Sequence, residues 1–450
     1  KTGGHLFPGI AVAQAISRME PTSHVMFVGS GEAFETQTVT RYGFEHSRIT
    51  SMGIKGKSMA GKLAALIQIP LSIIQAMAVI KNYRPDMVLG VGGYASGPVL
   101  VGAKILGIPT AIQEQNSIAG ITNKILAPIS DKIFTSFVST LGIDDTRLLN
   151  VKKKIIHTGN PMRQPSLERS PEQPSLFERS PEQPSLFERS PEQPSLFERS
   201  SEQASLFERS PEQPSLFERS SEQPSLEKIQ KQSGNERSLD KSIFVKKQEQ
   251  YQEKAEKQAC TILVTGGSQG AKSINDAVLD CVRNMLEAGK ISCHIIHQTG
   301  ALDENRVMEK YRKLSSSTRD NSIKITAGAF FHDLPRLMAR ADIIVCRAGA
   351  GTISEVTALG KPALLVPYPH AADDHQTFNA KALADKGAAW MVKDSELTGK
   401  YLFEKILFAL NHPHEMEKMA AQSMKLGLPH ADSAVARICI RMALKSMHEC

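Results

Sequence analysis

Four glycine-rich loops hold the residue types best suited to binding and chemistry in this chain. They are Thr2-Gly3-Gly4-His5, Gly92-Gly93-Tyr94-Ala95-Ser96-Gly97-Pro98, Gly266-Gly267-Ser268-Gln269-Gly270 and Arg347-Ala348-Gly349-Ala350-Gly351-Thr352. Glycine lets backbone N–H groups approach a ligand closely, and a helix starting behind the loop adds partial positive charge, so each loop suits a phosphate. One such loop is an ordinary tight turn; four at corresponding places in the chain point to a site. No GKS or GKT follows any of them, which argues against a nucleoside triphosphate hydrolase. None fits GxGxxG with an acidic residue about 20 positions on, which argues against nicotinamide binding. HExxH and DxD are absent, and Asp373-Asp374-His375 reads as part of a polar loop. The expected chemistry uses neither a metal nor a cofactor.

Side chains around these loops suggest roles. His5 stands at the mouth of a helix expected from about Pro8, where the positive end of the dipole favours the neutral imidazole that can accept a proton. Glu355 falls on the first turns of the helix behind the 347–352 loop. A carboxylate so close to a phosphate loop suits the two hydroxyls of a ribose, or it is a stabilising first-turn acid. The polar loop 368–379, Tyr-Pro-His-Ala-Ala-Asp-Asp-His-Gln-Thr-Phe-Asn, offers partners for sugar hydroxyls, or is simply solvated.

The elements that must position these loops are legible in the pattern. Short β-branched runs at 24–29, 87–91 and 110–113, and at 260–265, 292–297, 323–327, 342–346 and 363–367, alternate with helical periodicity. Buried strands alternating with helices imply parallel sheets covered on both faces. The fold class is therefore α/β, with two doubly wound units whose strand carboxyl ends face a cleft. Residues 164–257 fall outside this scheme. PEQPSLFERS recurs without change at 171–180, 181–190, 191–200 and 211–220, with a variant at 201–210. Such units bury too little apolar area to offset the entropy of ordering, so the segment is expected to be a disordered linker. The expected domains are 1–163, 164–257 and 258–450.

Length and composition agree. At 450 residues with 41% hydrophobic and 22% charged residues, the chain can bury two ordinary cores. The most apolar stretch, 63–80, is interrupted by Gln68, Pro70, Ser72 and Gln75, which argues against a membrane span. Six cysteines without CxxC or finger spacing read as reduced thiols. Residues 1–163 hold 17 Lys and Arg against 9 Asp and Glu, whereas 258–450 hold 23 against 20. A basic first half attracts nucleic acid, anionic lipid or phosphorylated substrates.

TGGHLFPGIAVA, GVGGYASGP, EQNSIAGITNK, GNPMR, VTGGSQGA, CRAGAGTISE and PYPHAADDHQTFNA occur in this order. Together they resemble the MurG family, whose members make lipid II from lipid I by adding N-acetylglucosamine (GlcNAc). The similarity covers residues 2–163 and 258–450. It implies the GT-B fold, two Rossmann-like domains, with the last helix packing back on the first domain. It implies an inverting transfer from UDP-GlcNAc to a polyprenyl-diphosphate acceptor at the cytoplasmic face of the bacterial inner membrane, without metal and without nucleic acid. An anionic membrane surface is an expected partner, because Lys55, Lys57 and Lys62 precede the apolar 63–80 segment.

Carried over by motif, the resemblance implies that Ser268 holds the diphosphate, Glu355 the ribose and Gln376 the GlcNAc hydroxyls. Ala350, Gly351, Thr352, Ile353 and Ser354 complete the donor loop, and Phe331 meets the uracil through its backbone. Thr2, Gly3, Gly4, Asn116 and Arg163 line the donor sugar. His5 acts as general base or faces the acceptor diphosphate, Tyr94 contacts the acceptor, and Glu114 is a second candidate base. Two departures stand out. The family's first strand and its glycines are not found before Thr2, and Lys1 stands where a glycine is expected, so the chain is expected to begin inside the family's sequence. The linker after Arg163 is also far longer than the family's. Rival readings are a non-catalytic UDP-GlcNAc-binding scaffold, a GT-B relative using another lipid acceptor, and a UDP-GlcNAc 2-epimerase.

Overall fold

A computed structural model describes residues 4–50, 59–144, 149–162, 260–289, 291–316 and 322–449. Thr2, Gly3, Lys55, Lys57, Arg163 and the repeat-bearing segment 164–257 lie outside the described residues. The described residues belong to one compact unit built on parallel sheets.

In the second half six strands pair in the order β9-β8-β7-β10-β11-β12. They are β7 (Cys260–Thr265), β8 (Cys293–Gln298), β9 (Ile323–Gly328), β10 (Ile343–Cys346), β11 (Ala363–Leu365) and β12 (Trp390–Met391). This is the Rossmann order, reversing direction between β7 and β10, where a crevice opens at the strand carboxyl ends. Alternation along the strands feeds two cores: Ile262, Val264, Ile343 and Val345 pack on one face, Leu263, Ile344 and Cys346 on the other. Helix Lys272–Ala288 covers the first face with Ile274, Val278, Cys281, Val282 and Met285, at helical spacing. Fully burying each such side chain contributes about 1.5–3 kcal/mol. The helix stops at Gly289, whose φ of +61° suits glycine.

The first half holds β1 (Met26–Gly29) paired with β2 (Glu45–Arg48), and a four-stranded sheet in the order β3-β4-β5-β6. The latter comprises β3 (Val88–Gly90), β4 (Thr110–Glu114), β5 (Lys132–Thr135) and β6 (Ile155–His157). β4 is buried along its whole length. Helix Leu6–Met19 packs on this sheet and against the final helix, Ala431–Glu449: Val12, Ala15, Ala111, Phe134, Val435, Ala436 and Cys439 share one core. Arg18 and the buried Asp432 form an ion pair of 2.9 Å between the same two helices.

Helix Met59–Tyr83 runs through Pro70, and no helix among the described residues is long and apolar enough to cross a membrane. The described cysteines are free, and burial pushes the Cys346 thiol up to about 12.

Candidate active site

The loops after β7 and β10 flank the switch point of the six-stranded sheet. Gly270 has φ +76°, and a Cβ there would lie 2.1 Å from the Thr299 carbonyl oxygen, so the loop after β7 lies backbone against backbone on the loop after β8. Gln298, the last residue of β8, ties three pieces together. Its Nε2 donates to Thr265 Oγ1 at 3.1 Å and to the Gly267 carbonyl at 3.1 Å, and its Oε1 accepts from the Phe331 N–H at 3.0 Å. Ser268 is exposed at the tip of this loop.

After β10, Gly349 caps helix Ala350–Ala358 with an extended backbone and no side-chain cap. The first bond of the helix is Ile353 N–H to the Gly349 carbonyl, so the N–H groups of Ala350, Gly351 and Thr352 precede the helical ladder and point out of its positive end. The space above Gly349 and Gly351 is open. Ala350 and Ile353 turn their side chains into the core, and Ser354 Oγ donates back to the Ala350 carbonyl at 2.8 Å, so this end of the helix offers a ligand the N–H groups of 350–352 rather than these side chains. Glu355 follows, partly buried, on the next turn.

Arg347 braces the same end of the sheet. Its guanidinium donates to the Val366 and Pro367 carbonyls at 3.3 and 3.2 Å, to the Asp394 carboxylate and to Ser273 Oγ, and lies 5.6 Å from the Tyr368 ring centre. Gln376 Oε1 accepts from the Tyr368 N–H at 3.0 Å; the stretch expected as a polar loop over 368–379 is a loop only at its start, since residues 375–379 form the first turns of helix His375–Ala384.

In the first half His5 is exposed at the head of helix Leu6–Met19, which begins at Leu6 because Pro8 is tolerated within a first turn. His5 Nδ1 lies 2.9 Å from Gln115 Oε1. Gly92, with φ +97°, packs so closely on the imidazole that a Cβ would lie 2.6 Å from Nδ1. Tyr94, on the same loop, is 48% exposed. Glu114 ends β4 and is 1% exposed. Its carboxylate accepts from Asn116 N–H (2.9 Å), Gly120 N–H (3.0 Å), Asn123 Nδ2 (2.8 Å) and Asn116 Nδ2 (3.4 Å), which holds the 115–120 loop in place.

At the loop ends, Asn379 bonds the second half to the first. Asn379 is fully buried, and its Oδ1 accepts from Ser117 N–H (2.9 Å) and Ser117 Oγ (2.8 Å). Its Nδ2 donates to Asn116 Oδ1 and to the Ala348 carbonyl, both at 3.2 Å. Asn116 of the first half is thereby bonded, through Asn379, to the residue before Gly349. Gln115, Ser117 and Gln298 were not singled out from sequence, and Asn379 only as the end of the polar 368–379 stretch, because a buried polar side chain shows its role only through its partners.

The structure brings His5, Gly4, Tyr94, Glu114 and Asn116 to the loop ends of the first half, and Ser268, Phe331, residues 350–355 and Gln376 to the strand carboxyl ends of the second. Phe331 differs from expectation in that its N–H is already given to Gln298, leaving its carbonyl for a base.

Two Rossmann-like units with glycine loops at their strand carboxyl ends, joined through Asn116 and Asn379, have the architecture of the GT-B class of glycosyltransferases. Residues 2–135 match the glycosyltransferase family 28 N-terminal domain and residues 261–435 the family 28 C-terminal domain. The UDP-N-acetylglucosamine–N-acetylmuramyl-(pentapeptide) pyrophosphoryl-undecaprenol N-acetylglucosamine transferase of Syntrophus aciditrophicus is 33% identical over 98% of this chain and 96% of its own length. The enzyme of the same name from Myxococcus xanthus is 31% identical over 99% and 92%. The chain belongs to the MurG family. Its fold is also that of Acinetobacter baumannii MurG, at 23% identity and a TM-score of 0.64 over 98% of this chain and 97% of that one. The Neisseria meningitidis UDP-GlcNAc 2-epimerase bound to UDP-GlcNAc shares the fold more distantly, at 15% identity and TM-score 0.53 over 98% and 96%.

Proposed function

We propose that this chain transfers GlcNAc from UDP-GlcNAc to lipid I, an undecaprenyl-diphosphate-linked N-acetylmuramyl-pentapeptide, giving lipid II for peptidoglycan synthesis. The observation that carries the reading is the hydrogen-bonded path from Asn116 through Asn379 to Ala348, which brings a sugar-binding loop of the first half to the uncapped helix end of the second. The donor diphosphate lies on the N–H groups of residues 350–352 and on the loop of Ser268, the ribose on Glu355, and the GlcNAc near Asn116, Gln376 and Gly4. Thr2, Gly3 and Arg163, which the resemblance assigns to that sugar, lie outside the described residues. Positive charge for the departing UDP comes from backbone amides and helix ends.

The acceptor's sugar hydroxyl attacks the anomeric carbon from the face opposite UDP. The new C–O bond forms as the bond to the diphosphate breaks, and the hydroxyl proton passes to a base. Of the two candidates, His5 is the one exposed at a loop end, with Tyr94 nearby for the acceptor, while the Glu114 oxygens are taken up by their own loop. We assign the base to His5 and a framework role to Glu114. Glu355→Gln tests the donor site. Losing a charged acceptor that contributes ~1.5–3 kcal/mol raises the KM for UDP-GlcNAc roughly 10- to 100-fold and leaves the acceptor KM unchanged. Unchanged donor affinity removes Glu355 from the ribose.

The same reading places the protein at the periphery of the cytoplasmic membrane leaflet. Leu71 and Ile74 are exposed on helix Met59–Tyr83, and Ile121 and Ile125 are exposed beside the exposed Lys124 on helix Ile121–Leu126. Apolar side chains with nearby cations suit an anionic interface. Co-sedimentation with phosphatidylglycerol vesicles, lost in Ile74→Asp/Ile125→Asp and absent with phosphatidylcholine, is the expected result; equal sedimentation of the variant contradicts it.

A further inference from the structure

We propose that Gln115 is a positioning residue that holds His5 in the tautomer with its proton on Nδ1, leaving Nε2 as the atom that takes the proton from the acceptor hydroxyl. The inference rests on His5 being the base, and adds which nitrogen acts and what selects it.

Gln115 is 2% exposed, and its amide has a single satisfactory orientation. Nε2 donates to the Val91 carbonyl at 2.8 Å and to the Gln113 carbonyl at 3.3 Å, which uses both of its protons. Turned over, the amide would set its own oxygen against those two carbonyl oxygens and leave a buried N–H pair facing His5. Oε1 therefore faces His5 Nδ1, 2.9 Å away, and an amide oxygen only accepts. Nδ1 must carry hydrogen. A neutral imidazole has one N–H, so the lone pair is on Nε2.

Gly92 keeps the ring in this place. A Cβ at 92 would lie 2.6 Å from Nδ1 and 2.9 Å from Cε1, and the Gly92 carbonyl is fixed by Ser96 Oγ at 2.6 Å. The imidazole is thus wedged between the loop after β3 and the residue after β4. In the transfer step the acceptor O–H bond breaks as its oxygen bonds the anomeric carbon. The proton moves to His5 Nε2, and the imidazolium keeps its Nδ1–H on Gln115 until Nε2 releases its proton to solvent. Gln115 accepts the same hydrogen before and after, so it sets geometry and tautomer without taking part in the proton transfer.

The test uses the full chain with Gln115→Met, similar in length but unable to accept this bond, together with His5→Ala and the double variant. Imidazole nitrogen shifts, from ¹⁵N-histidine-labelled protein above the titration range, report the tautomer independently of activity. The wild type is expected to show His5 protonated on Nδ1, and Gln115→Met to move toward the Nε2–H form. Turnover of Gln115→Met should fall roughly 10- to 100-fold, a share of the 10²–10⁴ a general base supplies, with the KM for UDP-GlcNAc unchanged within about twofold. In the His5→Ala background the same substitution should cost nothing further. An Nε2–H tautomer in the wild type, or full turnover of Gln115→Met beside an inactive His5→Ala, overturns the role of Gln115 alone. Full turnover of His5→Ala overturns the assignment of the base itself, and this inference with it.

Discussion

Replacing Asn379 should uncouple the two halves more than any other single side-chain change at the cleft. The side chain is fully buried, and all four of its hydrogen bonds lie between 2.8 and 3.2 Å. Asn379→Leu leaves the Ser117 N–H, the Asn116 Oδ1 and the Ala348 carbonyl without this partner. Each buried polar group left unpaired costs ~1–3 kcal/mol, and partial relaxation brings the expected total to about 3–5 kcal/mol. Urea denaturation reads this as a lower midpoint at unchanged m. A double-mutant cycle of Asn379→Ala with Ser117→Ala isolates the cross-half bond from Ser117 Oγ to Asn379 Oδ1, with an expected coupling of about 1–2 kcal/mol. Because Ala348 precedes the donor loop, UDP-GlcNAc affinity should weaken in parallel. A coupling within about 0.5 kcal/mol of zero, with wild-type donor affinity, would refute the claim that Asn379 joins the halves.

Two further outcomes follow from burial and composition. His297 is buried against Tyr311 OH (2.8 Å) and Asn275 Oδ1 (3.0 Å), and burial lowers its pKa from 6.5 to about 4. The unfolded chain therefore binds a proton that the folded one refuses, so stability is fully present above pH 6.5 and is lost as pH falls toward 4. Between pH 7.5 and 4.5 the wild type should lose about 2–3 kcal/mol more than His297→Gln; equal losses in urea titrations would contradict this. Deleting 171–220 removes neither a glycine loop nor a strand of the described residues. Transfer activity should stay within about twofold because loop length enters closure entropy only logarithmically, whereas a folded but inactive deletion variant would give the repeat a function.

The strands that sequence reasoning found are those with apolar β-branched runs, such as Cys260–Thr265 and Ile343–Cys346, because a strand buried on both faces has no room for polar residues. Those it missed are short or polar. Glu45–Arg48 is an edge strand exposed at both ends, Lys132–Thr135 and Ile155–His157 each hold only two consecutive apolar residues beside polar ones, and Trp390–Met391 is only two residues long. Their strand character comes from pairing with a neighbour, which a window of sequence does not contain. The glycine loops were legible because glycine marks close backbone approach, as Gly270 on Thr299 bears out. The amides that hold the site were not: Gln115, Gln298 and Asn379 look like any polar residue until the fold supplies their partners, 24, 33 and 262 residues away along the chain. Glu114 shows the converse. As a carboxylate beside a loop it is a reasonable base by type, and only its four donors reveal an acid engaged in holding Asn116 and Gly120.

The central claim is tested most directly by incubating the chain with UDP-[¹⁴C]GlcNAc and purified lipid I and following the label. The expected result is label in the lipid fraction as β-linked GlcNAc, with one UDP released for each sugar transferred, and none of this without lipid I. UDP-GlcNAc left intact, or converted to its 2-epimer without any labelled lipid, would contradict the account.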